Sequence, residues 1–197
     1  MQYDIILVIG ESYFDHPLCG AAIIKRLLEK NGYSVGIIEK PRDDSDVAKL
    51  GKPKLFFGIS SGSIDSMLRK YTPMKRVRDE TIPDRAVIVY SNWVKKHFKT
   101  SKIVLGGTEA TLRRFTHYDY WQNGLRKSIL LDSKADILVY GNGEKQVLEI
   151  AERIKENKSL NEIRGTCVTA KEVPKDFIEL PSHEEVASSN IKIFGFL

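Results

Sequence analysis

Short apolar runs that alternate with helical patterns are the feature that most limits how this chain of 197 residues can fold. Amphipathic segments separate the runs, as in Ile23, Ile24, Leu27 and Leu28 after the first of them. Parallel strands need such crossovers and are buried on both faces, so the pattern predicts an α/β fold with a doubly wound, mostly parallel sheet and helices on both faces. The predicted strands are Ile5 to Ile9, Val35 to Ile38, Leu55 to Ile59, Ile103 to Leu105 and Ile137 to Tyr140.

Glycine turns follow three of these runs, at Gly10, at Gly106 and Gly107, and at 141–143. The carboxyl ends of parallel strands meet at one edge, where open α/β sheets bind ligands, so we expect the turns to line a common rim. The chain has neither the G-x-G-x-x-G nor the G-x-x-x-x-G-K-[ST] motif, which argues against a standard dinucleotide or P-loop site. Candidate ligand residues in the turns are Gly106, Gly107, Gly141, Asn142 and Glu144.

Residues 103–121 carry the densest group of charged and aromatic side chains, immediately after the fourth strand. An arginine there could clamp a carboxylate or phosphate, and the aromatic rings could stack on a planar ligand or dock a partner domain. The alternative is a surface helix in which Glu109 simply pairs with Arg113, followed by an aromatic packing loop. The candidates in this stretch are Glu109, Arg113, Arg114, His117, Tyr118, Asp119 and Tyr120.

Asp15 and His16 lie together in the predicted loop after the first strand. Such a pair could form a base or a metal-ligating imidazole with its orienting carboxylate, or it could simply start the next helix with Pro17 at the first position. The two cysteines, Cys19 and Cys167, are too few for a disulfide framework, a zinc site or an iron–sulfur cluster. We therefore expect no metal site in this chain.

The net charge of +5 is uneven, because residues 67–102 hold ten lysines and arginines against three acidic residues. Such a block could attract phosphates, but without a nucleic-acid motif we expect the solvated face of a helix and rank nucleic-acid binding last. No apolar run is long enough to span a membrane, and the N-terminus resembles a first strand rather than a leader, so we expect a cytoplasmic protein. We expect one Rossmann-like domain over residues 1–170 and a linker or docking tail over 171–197.

Several long blocks, including 15–38, 49–72, 103–121 and 128–144, resemble the N-terminal domain of the YgiQ-type radical SAM proteins. In that family a radical SAM barrel follows this domain, and its C-x₃-C-x₂-C thiolates hold a [4Fe–4S] cluster that cleaves S-adenosylmethionine. Cys19 and Cys167 match no part of that motif, so the resemblance places no catalytic residue here. The glycine turns and the segment ADILVYGNGE also resemble cobalamin-binding domains that precede other radical SAM barrels.

The resemblance implies an accessory domain that positions an unknown substrate against a barrel supplied by the same polypeptide or by a separate chain. Without the cluster-binding cysteines, the chain alone is expected to be inactive. The alternative is a free-standing binding module for cobalamin or another planar cofactor.

Overall fold

We describe the protein from a computed structural model that covers residues 2–172, 175 and 177–188. The strands are β1 (Ile5–Ile9), β2 (Val35–Glu39), β3 (Phe56–Ser60), β4 (Lys102–Leu105), β5 (His117–Asp119), β6 (Gly124–Arg126), β7 (Ile137–Val139) and β8 (Thr166–Cys167). The helices are α1 (Gly20–Lys30), α2 (Asp44–Ala48), α3 (Ser66–Lys70), α4 (Ala86–His97), α5 (Gly107–Leu112), α6 (Ile129–Ser133), α7 (Glu144–Lys155) and α8 (His183–Ser188).

Six strands form one sheet in the order β2-β1-β3-β4-β7-β8, parallel except for the β7–β8 pair. The predicted doubly wound α/β fold is confirmed. The strand order reverses between β1 and β3, because the chain leaves β1 toward β2 on one side and leaves β3 toward β4 on the other. Loops diverge at such a reversal and leave a crevice beyond the carboxyl ends of the two strands.

Each face of the sheet has its own core, which explains why the strands are apolar without interruption. On one face Ile6, Phe57 and Leu105 pack against α4, whose Tyr90 and Val94 are fully buried. The other face buries alternate residues of the same strands against α1 and α7, chiefly Ile5, Phe56, Val104, Ile137, Leu28, Val147 and Ile150. The first face is covered by α2, α4 and α6, whereas the second is covered by α1 and α7, whose first turns leave part of it open.

The predicted strands are confirmed to within one residue at each end. In the connection from β3 to β4, α3 has only five residues, and Ile64 and Leu68 are exposed. The next helix, α4, begins at Ala86, after Arg85 adopts a left-handed conformation. The segment for which an aromatic packing loop was one alternative forms an antiparallel hairpin, β5–β6.

The predicted tail, residues 171–197, contains α8 among the residues that the structure describes. This helix contacts the hairpin region through an ion pair between Lys127 and Glu184 at 2.9 Å. Residues 173, 174, 176 and 189–197 lie outside the described part of the chain, so the linker assignment stays a prediction. Across the described residues, no helix combines the length and hydropathy that crossing a bilayer requires.

Candidate functional site

A cleft of about 420 Å³ lies over the carboxyl half of the open sheet face, between the first turns of α1 and α7. Its floor includes Leu7, Phe56 and Val104, and its walls include Ala21 of α1 and Val147 of α7. All five turn residues predicted as ligand candidates line the cleft, namely Gly106, Gly107, Gly141, Asn142 and Glu144. The structure therefore brings the turns after β4 and β7 to one mouth, as the strand pattern predicts.

Two glycines allow close packing at the floor and rim of the cleft. Gly58 lies in the middle of β3, and a Cβ added there would come within 2.7 Å of Leu7 Cδ2. Gly107 has φ +84°, and a Cβ added there would collide with Ser60 Oγ. An isolated glycine inside a strand indicates close approach by another group, and here that group is the Leu7 side chain of the neighbouring strand β1.

The third predicted turn, at Gly10, is buried beneath the rim rather than exposed on it. A Cβ on Gly10 would come within 2.6 Å of the Ser61 carbonyl oxygen, so the two loops at the strand-order reversal are in tight contact. The next residue, Glu11, lines the cleft and joins those loops: it accepts hydrogen bonds from Ser63 Oγ at 2.8 Å and from an Arg69 NH2 group at 2.6 Å.

A second cavity of about 440 Å³ adjoins the cleft and shares Glu11, Leu18 and Ser63 with it. We call this cavity the side chamber. Its lining mixes charged and apolar groups, and its other members are Ser12, Phe14, His16, Cys19, Lys40 and Arg69.

Glu109 is fully buried and acts on the backbone rather than on a ligand. Its two carboxylate oxygens accept hydrogen bonds from the backbone N–H groups of Ser66 at 2.9 Å and Val87 at 3.2 Å, near the starts of α3 and α4. Burial, with the nearby Asp65 charge, raises the pKa of Glu109. The predicted pair between Glu109 and Arg113 is wrong, because α5 ends at Leu112 and Arg113 turns toward other partners.

Arg113 and Asp119 belong to a buried ionic network behind the hairpin. Arg113 binds Asp65 through Nε at 2.9 Å and through an NH2 group at 2.8 Å. Asp119 accepts a hydrogen bond from Arg85 Nε at 2.8 Å and others from the backbone N–H groups of Trp121 and Gln122. Burial would raise the pKa of Asp119, but Arg85 and these N–H groups outweigh it and lower the pKa to about 2.

The other candidates from this stretch lie around the hairpin rather than at the cleft. The Arg114 guanidinium lies 4.6 Å from the Phe115 ring centroid and 5.0 Å from that of Tyr140, and it donates to the Thr111 carbonyl. His117 contacts the Phe115 carbonyl through Nδ1, and burial lowers its pKa. Tyr118 and Tyr120 are both exposed and offer rings to solvent.

Asp15 and His16 do not form a pair with each other. Asp15 binds Arg26 of α1, which lowers the pKa of the carboxyl. His16 Nδ1 accepts a hydrogen bond from the Leu18 N–H at 3.1 Å, and α1 begins only at Gly20, so neither residue starts the helix. His16 lines the side chamber and is absent from the lining of the cleft.

Six of the ten lysines and arginines of the basic segment 67–102 form ion pairs within the protein, which favours the solvated-surface interpretation. The ion pairs join Arg69 to Glu11, Lys70 to Asp84, Arg85 to Asp119, Lys96 to Asp44, and both Lys95 and Lys102 to Asp136.

The residues present do not fit an iron–sulfur cluster. Cys19 is buried at the start of α1, while Cys167 lies on the edge strand β8, and both are free thiols. Among the described residues no three His, Cys, Asp or Glu side chains come together in a way that could hold a metal ion. The lining of the cleft is instead compatible with an organic ligand, since its floor is apolar and its mouth carries a few polar groups.

The walls and floor of the cleft were not among the sequence candidates. Ala21, Ile24 and Val147 fit the apolar stripes of α1 and α7, and such residues are normally core. Among the residues of the cleft floor, Gly58 could have been singled out from the sequence, since a glycine inside an otherwise apolar strand has no side chain to pack.

Comparison with known proteins identifies a matching family model and curated sequence relatives. The family model described as Radical SAM N-terminal matches residues 1–195. The UPF0313 protein of Methanocaldococcus jannaschii is 49% identical over 97% of this chain and 35% of its own length. The UPF0313 protein of Thermotoga maritima is 47% identical over 95% of this chain and 36% of its own length. The chain thus spans about a third of these curated relatives.

The chain also resembles a solved structure of the radical S-adenosylmethionine methyltransferase TsrM from Kitasatospora setae, with cobalamin and a [4Fe–4S] cluster bound. The TM-score is 0.62 at 17% identity, and the alignment covers 87% of this chain and 30% of TsrM. A second TsrM structure, with tryptophan and a SAM analogue bound, gives a TM-score of 0.59 at 16% identity. At this level of identity the likeness supports the fold.

Proposed function

Because this chain belongs to the Radical SAM N-terminal family, we propose that it is the accessory domain of a radical SAM enzyme. Its cleft holds a substrate or cofactor, and a catalytic barrel in the same polypeptide or in a separate chain covers the mouth. The observation that carries the proposal is the convergence of the turns after β4 and β7, with the crevice between β1 and β3, on one cleft. The barrel, not this chain, supplies the cluster and S-adenosylmethionine.

The residues of this domain would bind and orient the ligand and exclude water. Apolar side chains of the floor and of α1 and α7 would desolvate one part of it, and the polar groups at the mouth would fix its direction. Water exclusion protects reactive intermediates in closed sites generally. The exposed hairpin rings of Tyr118 and Tyr120, with their neighbour Phe115, offer a surface for packing against the barrel.

Hydrogen exchange on the full-length Thermotoga maritima relative, compared with its matching N-terminal part, tests this arrangement. We expect slower amide exchange in the full-length protein at the loops equivalent to 10–12, 60–63, 106–108 and 141–144, because the barrel covers them. Loops at the opposite edge of the sheet, equivalent to 51–54 and 98–101, serve as the control and should exchange equally in both. Equal exchange at the cleft loops would contradict the proposal.

A second candidate function is cobalamin binding by the cleft. It is favoured by the apolar cavity between α1 and α7 and by the likeness to the cobalamin-containing TsrM structure. Since His16 lines the side chamber and not the cleft, we propose no imidazole ligand from that residue.

Equilibrium dialysis of this chain with hydroxocobalamin, read by visible absorbance, tests the second candidate. We expect retained cobalamin and a spectral shift for the parent chain. Ala21→Phe fills the cleft wall and should abolish retention, whereas Ala170→Phe adds the same ring at an exposed site outside the cleft and should not. Dialysis that leaves the parent chain colourless would rule this function out.

A further inference from the structure

The side chamber contains more positive than negative charge, although it adjoins an apolar cleft. Lys40 and Arg69 bring two cations to its lining, and Glu11 brings one carboxylate. No other lysine, arginine, aspartate or glutamate lines it, and His16 is its remaining titratable side chain apart from the Cys19 thiol. The residues that line the chamber therefore carry a formal charge of +1, and Asp79 is a nearby carboxylate outside the lining whose pKa is lowered by its hydrogen bonds and by the charges of both Lys40 and Arg69.

The hydrogen-bonding capacity of the two cations is only partly used. Arg69 binds Glu11 through an NH2 group, while its Nε is buried and has no hydrogen-bond partner. Lys40 forms no ion pair and its ammonium makes no hydrogen bond to any described residue, even though its side chain is half-buried. A guanidinium and an ammonium that line one cavity can together recognise a carboxylate or phosphate.

The start of α1 also attracts an anion, although more weakly than the two cations do. Cys19, the N-cap residue of this eleven-residue helix, lines the chamber, and no side chain caps the helix. The Cys19 N–H is bonded to the His16 carbonyl, and Gly20 and Ala21 line the cleft, so the contribution to the chamber is limited to the weak attraction of the helix dipole for an anion.

We propose that the side chamber binds the oxyanion of a ligand, a carboxylate or a phosphate, while the planar or apolar part of the same molecule occupies the cleft. This inference rests on the proposed ligand-binding role of the cleft. It is supported by the shared lining, since Glu11, Leu18 and Ser63 face both cavities and leave them side by side. The ligand class is therefore a flat or apolar molecule with one anionic group.

The test is a titration of this chain with inorganic phosphate, acetate and AMP at low ionic strength, followed by ¹H–¹⁵N NMR. Phosphate or acetate alone should shift the amide signals of Leu18, Cys19 and Lys40 in a saturable way, and the stronger of the two identifies the preferred oxyanion. AMP should bind about tenfold more tightly than phosphate, because its base adds contact area in the cleft.

Three variants separate the two cavities. Lys40→Gln should weaken phosphate and AMP binding about tenfold, as expected for loss of a charge-assisted contact. Lys99→Gln makes the same charge change at the opposite edge of the sheet and should leave both affinities unchanged. Ala21→Phe should reduce AMP binding to the level of phosphate while leaving phosphate binding intact.

Phosphate shifts that are spread over surface lysines, or that persist unchanged in Lys40→Gln, would overturn the inference. Such a result leaves the covering of the cleft by the barrel untouched, because hydrogen exchange measures that separately. If phosphate binds at the chamber but AMP gains nothing, the two cavities do not serve one ligand, and the inference is equally wrong.

Discussion

Individual carboxylates in this protein differ sharply in how deeply their ion pairs are buried. Asp119 has a side chain that is only 3% exposed and faces Arg85 and, at 3.9 Å, Arg113. Asp15 pairs with Arg26 at the surface. A buried pair that loses one partner leaves an uncompensated charge, whereas an exposed pair contributes little.

Asp119→Asn should therefore lower the free energy of unfolding at neutral pH by about 2–4 kcal/mol. The folded pKa of Asp119 is lowered from 3.8 to about 2, so its stabilisation is complete above the unfolded value and is lost as pH falls through the folded one. The variant should lose that part of the acid dependence. Urea denaturation across this pH range measures both effects, with Asp15→Asn as a surface control that should change stability little.

The two adjacent glycines after β4 should respond differently to the same substitution. Gly107→Ala should cost about 1–2 kcal/mol, because its φ of +84° disfavours a side chain and the new Cβ would meet Ser60 Oγ. Gly106→Ala should be nearly neutral, because its φ is −157° and nothing lies within 4 Å of the new atom. Thermal denaturation compares them directly, and equal losses would show that the turn is not the cause.

At the scale of elements, the β5–β6 hairpin and the loop before α4 support each other. Trp121 stacks on Tyr71 with ring centroids 4.3 Å apart, and Lys75 Nζ lies 4.8 Å from the centre of the Trp121 ring. Tyr71 is also bridged to Val77 across the loop. The hairpin thus holds residues 71–77 in place by ring contacts rather than by a shared sheet.

Trp121→Ala should destabilise the protein by about 1–2 kcal/mol and speed amide exchange in residues 72–78, because the stacking partner of Tyr71 is lost. Tyr118→Ala is the matched control, since that ring is exposed and its hydroxyl donates to Asn123 of the same hairpin. Exchange in the 72–78 segment that is no faster in Trp121→Ala than in Tyr118→Ala would contradict this account.

Elements with strong periodicity were predictable from the sequence, and short ones were not. The strands and α7 follow from apolar runs and stripes, because both sheet faces are buried. Each strand of the β5–β6 hairpin has three residues. The hairpin is held by the ion pair between Asp119 and Arg85 and by the Tyr71–Trp121 stack, and no local sequence pattern reveals such tertiary contacts.

The residues of the candidate site also separate into those that could be predicted from the sequence and those that could not. The turn residues at the mouth follow from strand direction alone, since all parallel strands end at one edge. The role of Glu109 could not be predicted, because it depends on the backbone N–H groups of Ser66 and Val87, which are distant in sequence. The i, i+4 spacing suggested a surface ion pair between Glu109 and Arg113, but Glu109 is fully buried and accepts these backbone hydrogen bonds instead.

Considered as a whole, the molecule has one closed and one open sheet face. The proposed domain boundary near residue 170 can be tested here: a chain ending at residue 172 should unfold in a single transition with unchanged stability. Among the described residues, the contacts of α8 with the body include the exposed Lys127–Glu184 pair and the Thr116–His183 contact at 3.4 Å. Urea denaturation of the shortened chain is the measurement, and a large loss of stability would place the tail within the domain.

The burial of α4 has a consequence for how this scaffold can change. Tyr90, Val87 and Val94 anchor the closed face without lining the cleft, so mutations there affect folding. The first turns of α1 and α7 border the cleft while their later turns close the second core. In the proposed function, ligand preference can therefore diversify among descendants by exchanging a few residues at two helix starts, while the remainder of the architecture is inherited unaltered.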